Sequence, residues 1–219
     1  MPRTLLEDEH WTKLLPILRD LGIYSKPNLR RILEGILYRI RTGIPWRDLP
    51  EYFGKYHTVY TAYNRWSEKG IFTAILKQLS QESDLEWVAI DGSYIRAHQH
   101  CASALSTAGN IHDVTVAPEL LDNINLAETE LVNADKGYDS DRLREQIEQS
   151  GAKANIPYKR NREEKNKDMD WYLYKIRHLV ENAFCRLKHF RAIASRYDKL
   201  KRNFHSTVLL GCIVMWLPL

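Results

Sequence analysis

Two short apolar runs, LEWVAI and ELVNA, each lead into an aspartate, Asp91 and Asp135, and this repeated arrangement constrains the fold more than any other feature of the chain. Short, apolar, β-branched runs of this kind read as buried strands carrying a carboxylate at the C-terminal end. The sequence between them exceeds the roughly dozen residues that a right-handed crossover needs, so the strands are free to lie parallel. Parallel neighbours bring both aspartates to the same sheet edge. PELLDNINLAE has helical spacing with Pro118 near its start, DSDRLREQIEQSG predicts a capped helix ending at Gly151, and AKANIPYK predicts a further strand closed by Pro157.

Before residue 84 the period changes from two to 3.6. Thr4 and Glu7 have capping-box spacing ahead of EDEHWTKLLPILRDLG, and NLRRILEGILYRIRTG sets Ile32, Leu33, Ile36, Leu37 and Ile40 on one helical stripe. IPWRDLPEYFGKYHTVYTAYNRWSEKG then predicts a short helix opened by Pro45, a turn at Gly54 and a second helix stopped by Gly70, which is a helix-turn-helix pattern. On the second helix Val59, Ala62 and Trp66 are spaced to face a core. His57, Thr58, Tyr60, Thr61, Asn64 and Arg65 are left outward, where they can donate to phosphates and base edges, with Lys55 beside them as a phosphate contact. A generic helical bundle with a solvated polar face is the competing interpretation.

The stretch YKIRHLVENAFCRLKHFRAIASRYDKLKR, residues 174–202, holds one glutamate, Glu181, among many cations. At about 100° per residue, Ile176, Val180, Ala183, Phe184 and Leu187 make one apolar stripe, and Tyr174, Arg177, Glu181 and Lys188 share the adjoining face. Arg177 and Glu181 have the spacing of an i,i+4 ion pair, worth only a few tenths of a kcal/mol when exposed. Alternatively, Glu181 is a third carboxylate beside the two aspartates. Such a trio repels itself unless a hard divalent cation neutralises it, and two magnesium ions held this way activate a water or hydroxyl for in-line attack on a phosphodiester. Arg177 and Lys188 then bind phosphates, and Tyr174 offers a hydroxyl or a stacking surface.

The formal charge of +4 and pI near 8.9 gain meaning from clustering of the basic residues, in KRNREEKNKD and after Lys188, since phosphate neutralisation sums over many charges. An acidic N-terminus without an apolar core and a C-terminal apolar run too short to span a bilayer predict a cytoplasmic protein with no membrane partner. That apolar run is expected to pack as a helix on the sheet. Cys101, Cys185 and Cys212 lack metal or disulfide spacing and are expected to be reduced and mostly buried. His98, His100, His112 and His205 read as polar loop residues.

At these residues the chain resembles the DDE transposases of bacterial insertion sequences. The spacing Y-x2-R-x3-E-x6-K is present as Tyr174, Arg177, Glu181 and Lys188, and with DGSYIRAHQH and NADKGYDS the chain is similar to the insertion-sequence-five group nearly end to end. The resemblance implies a mixed α/β, ribonuclease H-like domain over residues 84–219, preceded by an all-helical, helix-turn-helix-like DNA-binding domain over residues 1–83. It implies Asp91, Asp135 and Glu181 as catalytic residues and metal ligands, Mg2+ (or Mn2+) as cofactor, and double-stranded DNA bearing terminal inverted repeats as partner. The sequence departs from the family near residues 104–110, where two strands are missing between IRAHQHCASA and NIHDVTVAPEL. Their loss leaves the first strand an apolar edge, which predicts a strand-paired homodimer. Two functions therefore stand: a transposase that cleaves and transfers DNA strands at insertion-sequence ends, or a catalytically impaired remnant that acts only as a sequence-specific DNA-binding protein.

Overall fold

Apolar residues at spacings of three and four build the helices of the first third of the chain. The computed structural model describes residues 4–80, 113–122, 126–127, 129–163, 168–175 and 177–218, together with the backbone of 87–90 and 96–97. Helices α1 (Asp8–Asp20), α2 (Leu29–Thr42), α3 (Tyr56–Glu68) and α4 (Ile71–Leu79) bury Leu14 and Leu18, then Leu33, Ile36, Leu37 and Ile40, then Val59, Ala62, Tyr63 and Trp66, then Ile71, Phe72 and Ile75, in one core. Ile32, expected on the α2 stripe, is only half-buried. Gly35 sits inside α2 because a Cβ there would lie 2.9 Å from Cβ of Phe53, so the helix can approach that residue only without a side chain.

Two expectations fail here for local reasons. The Thr4 to Glu7 capping box does not form: α1 starts at Asp8 with Glu7 as an N-cap that makes no side-chain bond. Instead the N–H groups of Leu5 and Leu6 donate to the carboxylate of Glu34, at 2.9 and 2.8 Å, which satisfies a glutamate only 4% exposed inside the bundle. The expected helix after Pro45 is two single 3-10 turns, Trp46–Asp48 and Glu51–Phe53. Pro50 accounts for the break, since the residue before a proline is pushed out of the α region and Leu49 is extended (φ −63°, ψ 126°).

The C-terminal run, expected to pack on the sheet, forms α10 (Lys201–Trp216) as part of the helical unit. It packs on α2, α3 and α4 and on the short helix α9 (Arg191–Ala194), adding Leu210, Ile213 and Leu217 to the helical core. Indole N–H of Trp216 donates to the carbonyl of Leu79 at 2.9 Å, and Nζ of Lys13 to that of Leu217 at 3.2 Å. A buried polar network ties the same elements together: Arg39 pairs with Asp198 at 3.3 Å, Thr207 donates to that carboxylate at 3.2 Å, and the Tyr63 hydroxyl meets Thr207 at 2.8 Å and the carbonyl of Asn203. No described helix is long and apolar enough to cross a membrane.

The chain consequently divides into compact units differently from the expected break at residue 83. One unit comprises Met1–Glu82, Ile95–Ser106 and Arg186–Leu219, and the other Ser83–Tyr94 and Thr107–Cys185. The first also holds a two-stranded parallel ladder of β2 (Arg96–Ala97) and β5 (Ser195–Arg196).

In the second unit β1 (Trp87–Ile90), β3 (Leu131–Ala134) and β4 (Lys153–Asn155) form a parallel sheet in the order β1-β3-β4. The described elements are thus an α+β set, largely helical with a small parallel sheet. Helices α5 (Asp113–Asp122) and α6 (Asp141–Gln149) pack with Val132 and Ala134 of β3 in a second core. Pro118 lies within α5 rather than near its start. Side chains alternate along a strand, so Asn133 points away from that core, toward the side where α7 (Trp171–Lys175) meets β3. Among the described residues β1 pairs only with β3.

Candidate functional site

Parallel pairing in register is what sets the site. Trp87 lies opposite Leu131, and the ladder runs to Ile90 opposite Ala134, the residues immediately before Asp91 and Asp135. Asp91 itself lies outside the described residues, as do Cys101, His98, His100, His112 and the segment expected to be truncated.

Asp135 ends β3 and caps the 3-10 turn Lys136–Tyr138, its Oδ1 accepting the N–H of Gly137 at 2.7 Å. A Cβ on residue 137 would stand 2.8 Å from that same oxygen, so the carboxylate keeps its place only over a glycine. Four residues on, Asp139 has a fully buried side chain. It accepts from Nε and Nη2 of Arg144 (3.1 and 2.9 Å) and from the N–H of Lys159 (2.9 Å), and pairs with Nε of Arg162 at 3.2 Å. Arg144 also stacks over Tyr158, 4.1 Å from its centroid. Lys159 and Arg162 belong to the basic segment KRNREEKNKD, and both are fastened to the turn after Asp135. Residues 164–167 of that segment lie outside the described residues.

A second buried pair links the sheet to the helix that carries Tyr174. The Asn155 amide donates to Oδ1 of Asn133 at 2.7 Å and to the carbonyl of Asp170 at 3.0 Å, and accepts the N–H of Asp170 at 2.9 Å. Asp170 in turn accepts from the N–H of Leu173 in α7 at 2.9 Å. Sequence reasoning missed these residues, although Asn133 in ELVNA and Asn155 in AKANIPYK are visible signals, because a buried amide demands partners.

The expected single helix through Tyr174 and Lys188 is broken. Tyr174 lies on α7, Arg177 in a turn, Glu181 in the first turn of α8 (His178–Lys188), and Lys188 at its end. The N–H groups of Arg177 and Val180 bond three residues back, to Tyr174 and Arg177, tightening the chain where the two helices join. Val180, Ala183, Phe184 and Leu187 are half-buried rather than buried, and Ile176 lies outside the described residues. Arg177 Nη2 meets Glu181 Oε1 at 2.7 Å and its guanidinium lies 5.9 Å from the Tyr174 ring centroid. The ion-pair alternative for Glu181 is therefore realised, in a carboxylate half open to solvent. Cys185 is exposed, against expectation, and Cys212 is half-buried, its thiol pKa raised by that burial.

Among the described residues no three His, Cys, Asp or Glu side chains gather closely enough to hold a metal ion. Asp135 and Glu181 are two of the three expected ligands, and both offer the carboxylate oxygens that hard divalent cations prefer. The donor chemistry and the glycine that makes room for the Asp135 carboxylate fit such an ion.

On α3, Lys55 at its N-cap and His57, Thr58, Tyr60, Thr61 and Arg65 are exposed as expected. Asn64 is turned aside: its Oδ1 accepts from Asn203 at 3.3 Å and Arg202 at 3.5 Å of α10. His57, Thr58, Thr61 and Arg65 line a cleft of about 570 Å3, whose opposite wall is the α1–α2 connection.

Comparison with known proteins finds two family matches in the chain. Residues 6–76 match the family described as "Putative transposase of IS4/5 family", and residues 95–217 match the transposase DDE domain. An uncharacterised protein of Sinorhizobium fredii is 44% identical over 108 residues, 48% of this chain and 86% of that protein. A "Putative transposase for insertion sequence element IS6501" of Brucella ovis is 38% identical over 112 residues, 51% of this chain and 84% of the relative. A protein named in the same terms for element IS402 of Burkholderia cepacia is 30% identical over 125 residues, 52% of this chain and 56% of the relative. No solved structure matches the chain. Because the DDE-domain match takes in Asp135 and Glu181 and extends over more than half of the sequence, the chain belongs to the DDE transposases of insertion sequences.

Proposed function

We propose that this transposase cleaves and transfers DNA strands at the terminal inverted repeats of its element, with a ribonuclease H-like catalytic domain and a helix-turn-helix-like helical DNA-binding domain. The observation that carries the reading is the β1–β3 register, whose last pair, Ile90 and Ala134, precedes the two aspartates. Asp91, Asp135 and Glu181 would hold Mg2+ or Mn2+. When bound, such a cation polarises the scissile phosphate and lowers the pKa of the attacking water or hydroxyl. Oxygen then attacks phosphorus in line and the opposite P–O bond breaks.

The chain's own residues supply the positioning. The Gly137 N–H holds the Asp135 carboxylate, the Asp139 cluster fastens the turn that follows it, and the Asn133–Asn155–Asp170 chain of bonds sets α7 against β3. Tyr174, Arg177 and Lys188 would grip DNA near the reacting phosphate, while Lys55, His57, Thr58, Thr61 and Arg65 contact the duplex from α3. Asn64 serves α10 first.

The Arg177–Glu181 pair favours a second reading, a catalytically impaired protein that only binds DNA, because a glutamate committed to an arginine is a poorer ligand. A labelled duplex carrying the element's ends separates the two. Cleavage with Mg2+ or Mn2+ that disappears in Asp135→Ala and Glu181→Ala supports the enzyme. Binding without cleavage under either metal supports the second reading, and cleavage undiminished in Glu181→Ala removes Glu181 from the chemistry.

A further inference from the structure

The cleft beside α3 has a chemistry of its own. Lys26 from the α1–α2 connection faces Arg65 and Lys69 across it, and no carboxylate lines it. All three cations are exposed, and among the described residues none makes an ion pair. Arg65 and Lys69 stand at i,i+4 on one helix face, where like charges repel and cost helix stability. The nearby acid that could relieve them, Glu68, is taken by Arg202 of α10 at 3.1 Å. An arrangement that accepts this repulsion on both walls of one cleft is complementary to an anion that enters it.

Its dimensions suit an extended anion. Thr58, Thr61, Arg65 and Lys69 form a stripe along α3 and its C-cap, and the eleven residue steps from Thr58 to Lys69 rise about 16 Å, the axial rise of roughly five nucleotides of one DNA strand. Threonine hydroxyls at one end and cations at the other give donors along the whole wall, as a phosphate backbone requires.

We infer that this cleft clamps the sugar-phosphate backbone of the duplex, with Lys26 and Lys69 as phosphate contacts that close on the strand from opposite walls. The inference rests on the proposal that α3 binds DNA, and adds the α1–α2 connection as the second half of the grip. Contacts of this class fix position and carry no sequence information, so Lys26 and Lys69 raise affinity equally for any duplex.

Full-length parent, Lys26→Gln, Lys69→Gln, the double variant and Arg65→Gln are compared by fluorescence anisotropy on two duplexes, one bearing the element's ends and one of random sequence, across a salt series. Each lysine variant is expected to make the slope of log K against log salt shallower by about 0.9, and the double variant by about 1.8, with the same fold-loss on both duplexes. Lys26→Arg restores the parent slope. Matching circular dichroism checks the fold, since both side chains are exposed. A double variant with the parent's slope, alongside a shallower Arg65→Gln, overturns the clamp but leaves α3 as a DNA-binding helix. A parent that binds neither duplex at low salt overturns both. Inorganic phosphate that displaces the duplex far better than chloride at equal ionic strength marks an isolated phosphate site and also overturns the clamp.

Discussion

Replacing Asp139 by asparagine should destabilise the sheet-bearing unit by about 3 kcal/mol, because it removes the negative charge from a site that keeps its cations. The Asp139 side chain is 0% exposed, and those of Arg144 and Arg162, which it pairs, are 12% and 22% exposed. Asparagine retains one acceptor oxygen, so some of the four donors around the site, from Arg144, Arg162 and the Lys159 backbone, keep partners. The loss is therefore placed at the lower end of the 3 to 5 kcal/mol range typical of breaking a buried pair. For a chain of 219 residues it corresponds to a fall in Tm of roughly 6 to 12 °C. Calorimetry measures it, and hydrogen exchange at the amides of β3 and β4 shows whether the loss is local. Asp141→Asn is the control: Asp141 pairs with the same Arg162 at 2.6 Å but its side chain is 75% exposed, so solvent screening should hold the effect below about 1 kcal/mol. Equal stability of the two variants would mean that Asp139 is not an electrostatic pin, and would refute the reasoning.

Gly137→Ala should displace the Asp135 carboxylate, whose Oδ1 would be 2.8 Å from the new methyl carbon, and weaken Mn2+ binding measured by calorimetric titration while the fold is retained; an unchanged titration would count against Asp135 as a ligand. Asn155→Ala strands the Asn133 and Asp170 groups that it satisfies and should cost about 2 kcal/mol in urea unfolding, with a loss under 0.5 kcal/mol showing that the amide chain is dispensable. Tyr63 is held well above its ordinary pKa of about 10, first by burial and then by the Asp198 charge. Its stabilisation is complete below pH 10 and declines as pH rises beyond it, because the unfolded phenol ionises first. Tyr63→Phe should therefore be less stable at neutral pH by about 1 kcal/mol but lose less between pH 9 and 11; parallel pH profiles for the two proteins would contradict this.

Period located most of the helices and the three strands of the main sheet. The apolar stripes of α2 and α3 and the runs that became β1, β3 and β4 were legible because each is a local pattern, and the two aspartates mark the ends of strands that do pair in parallel. Where proline interrupts a pattern, the outcome was less legible: Pro50 splits the segment after Pro45 into two turns, and Pro118 is absorbed within α5.

What only the tertiary structure decided is which partner each pattern meets. An apolar run states that α10 must be covered, and only the folded chain shows that α2, α3, α4 and α9 are what cover it. Outward spacing made Asn64 a surface candidate, until α10 supplied donors to its oxygen. Asp135 and Asp139 are the same residue in one short motif, NADKGYDS, yet only Asp139 is sealed in, by arginines that lie five and twenty-three positions further along the chain. Burial of a charge depends on where distant cations arrive, and sequence spacing within the motif carries no record of that.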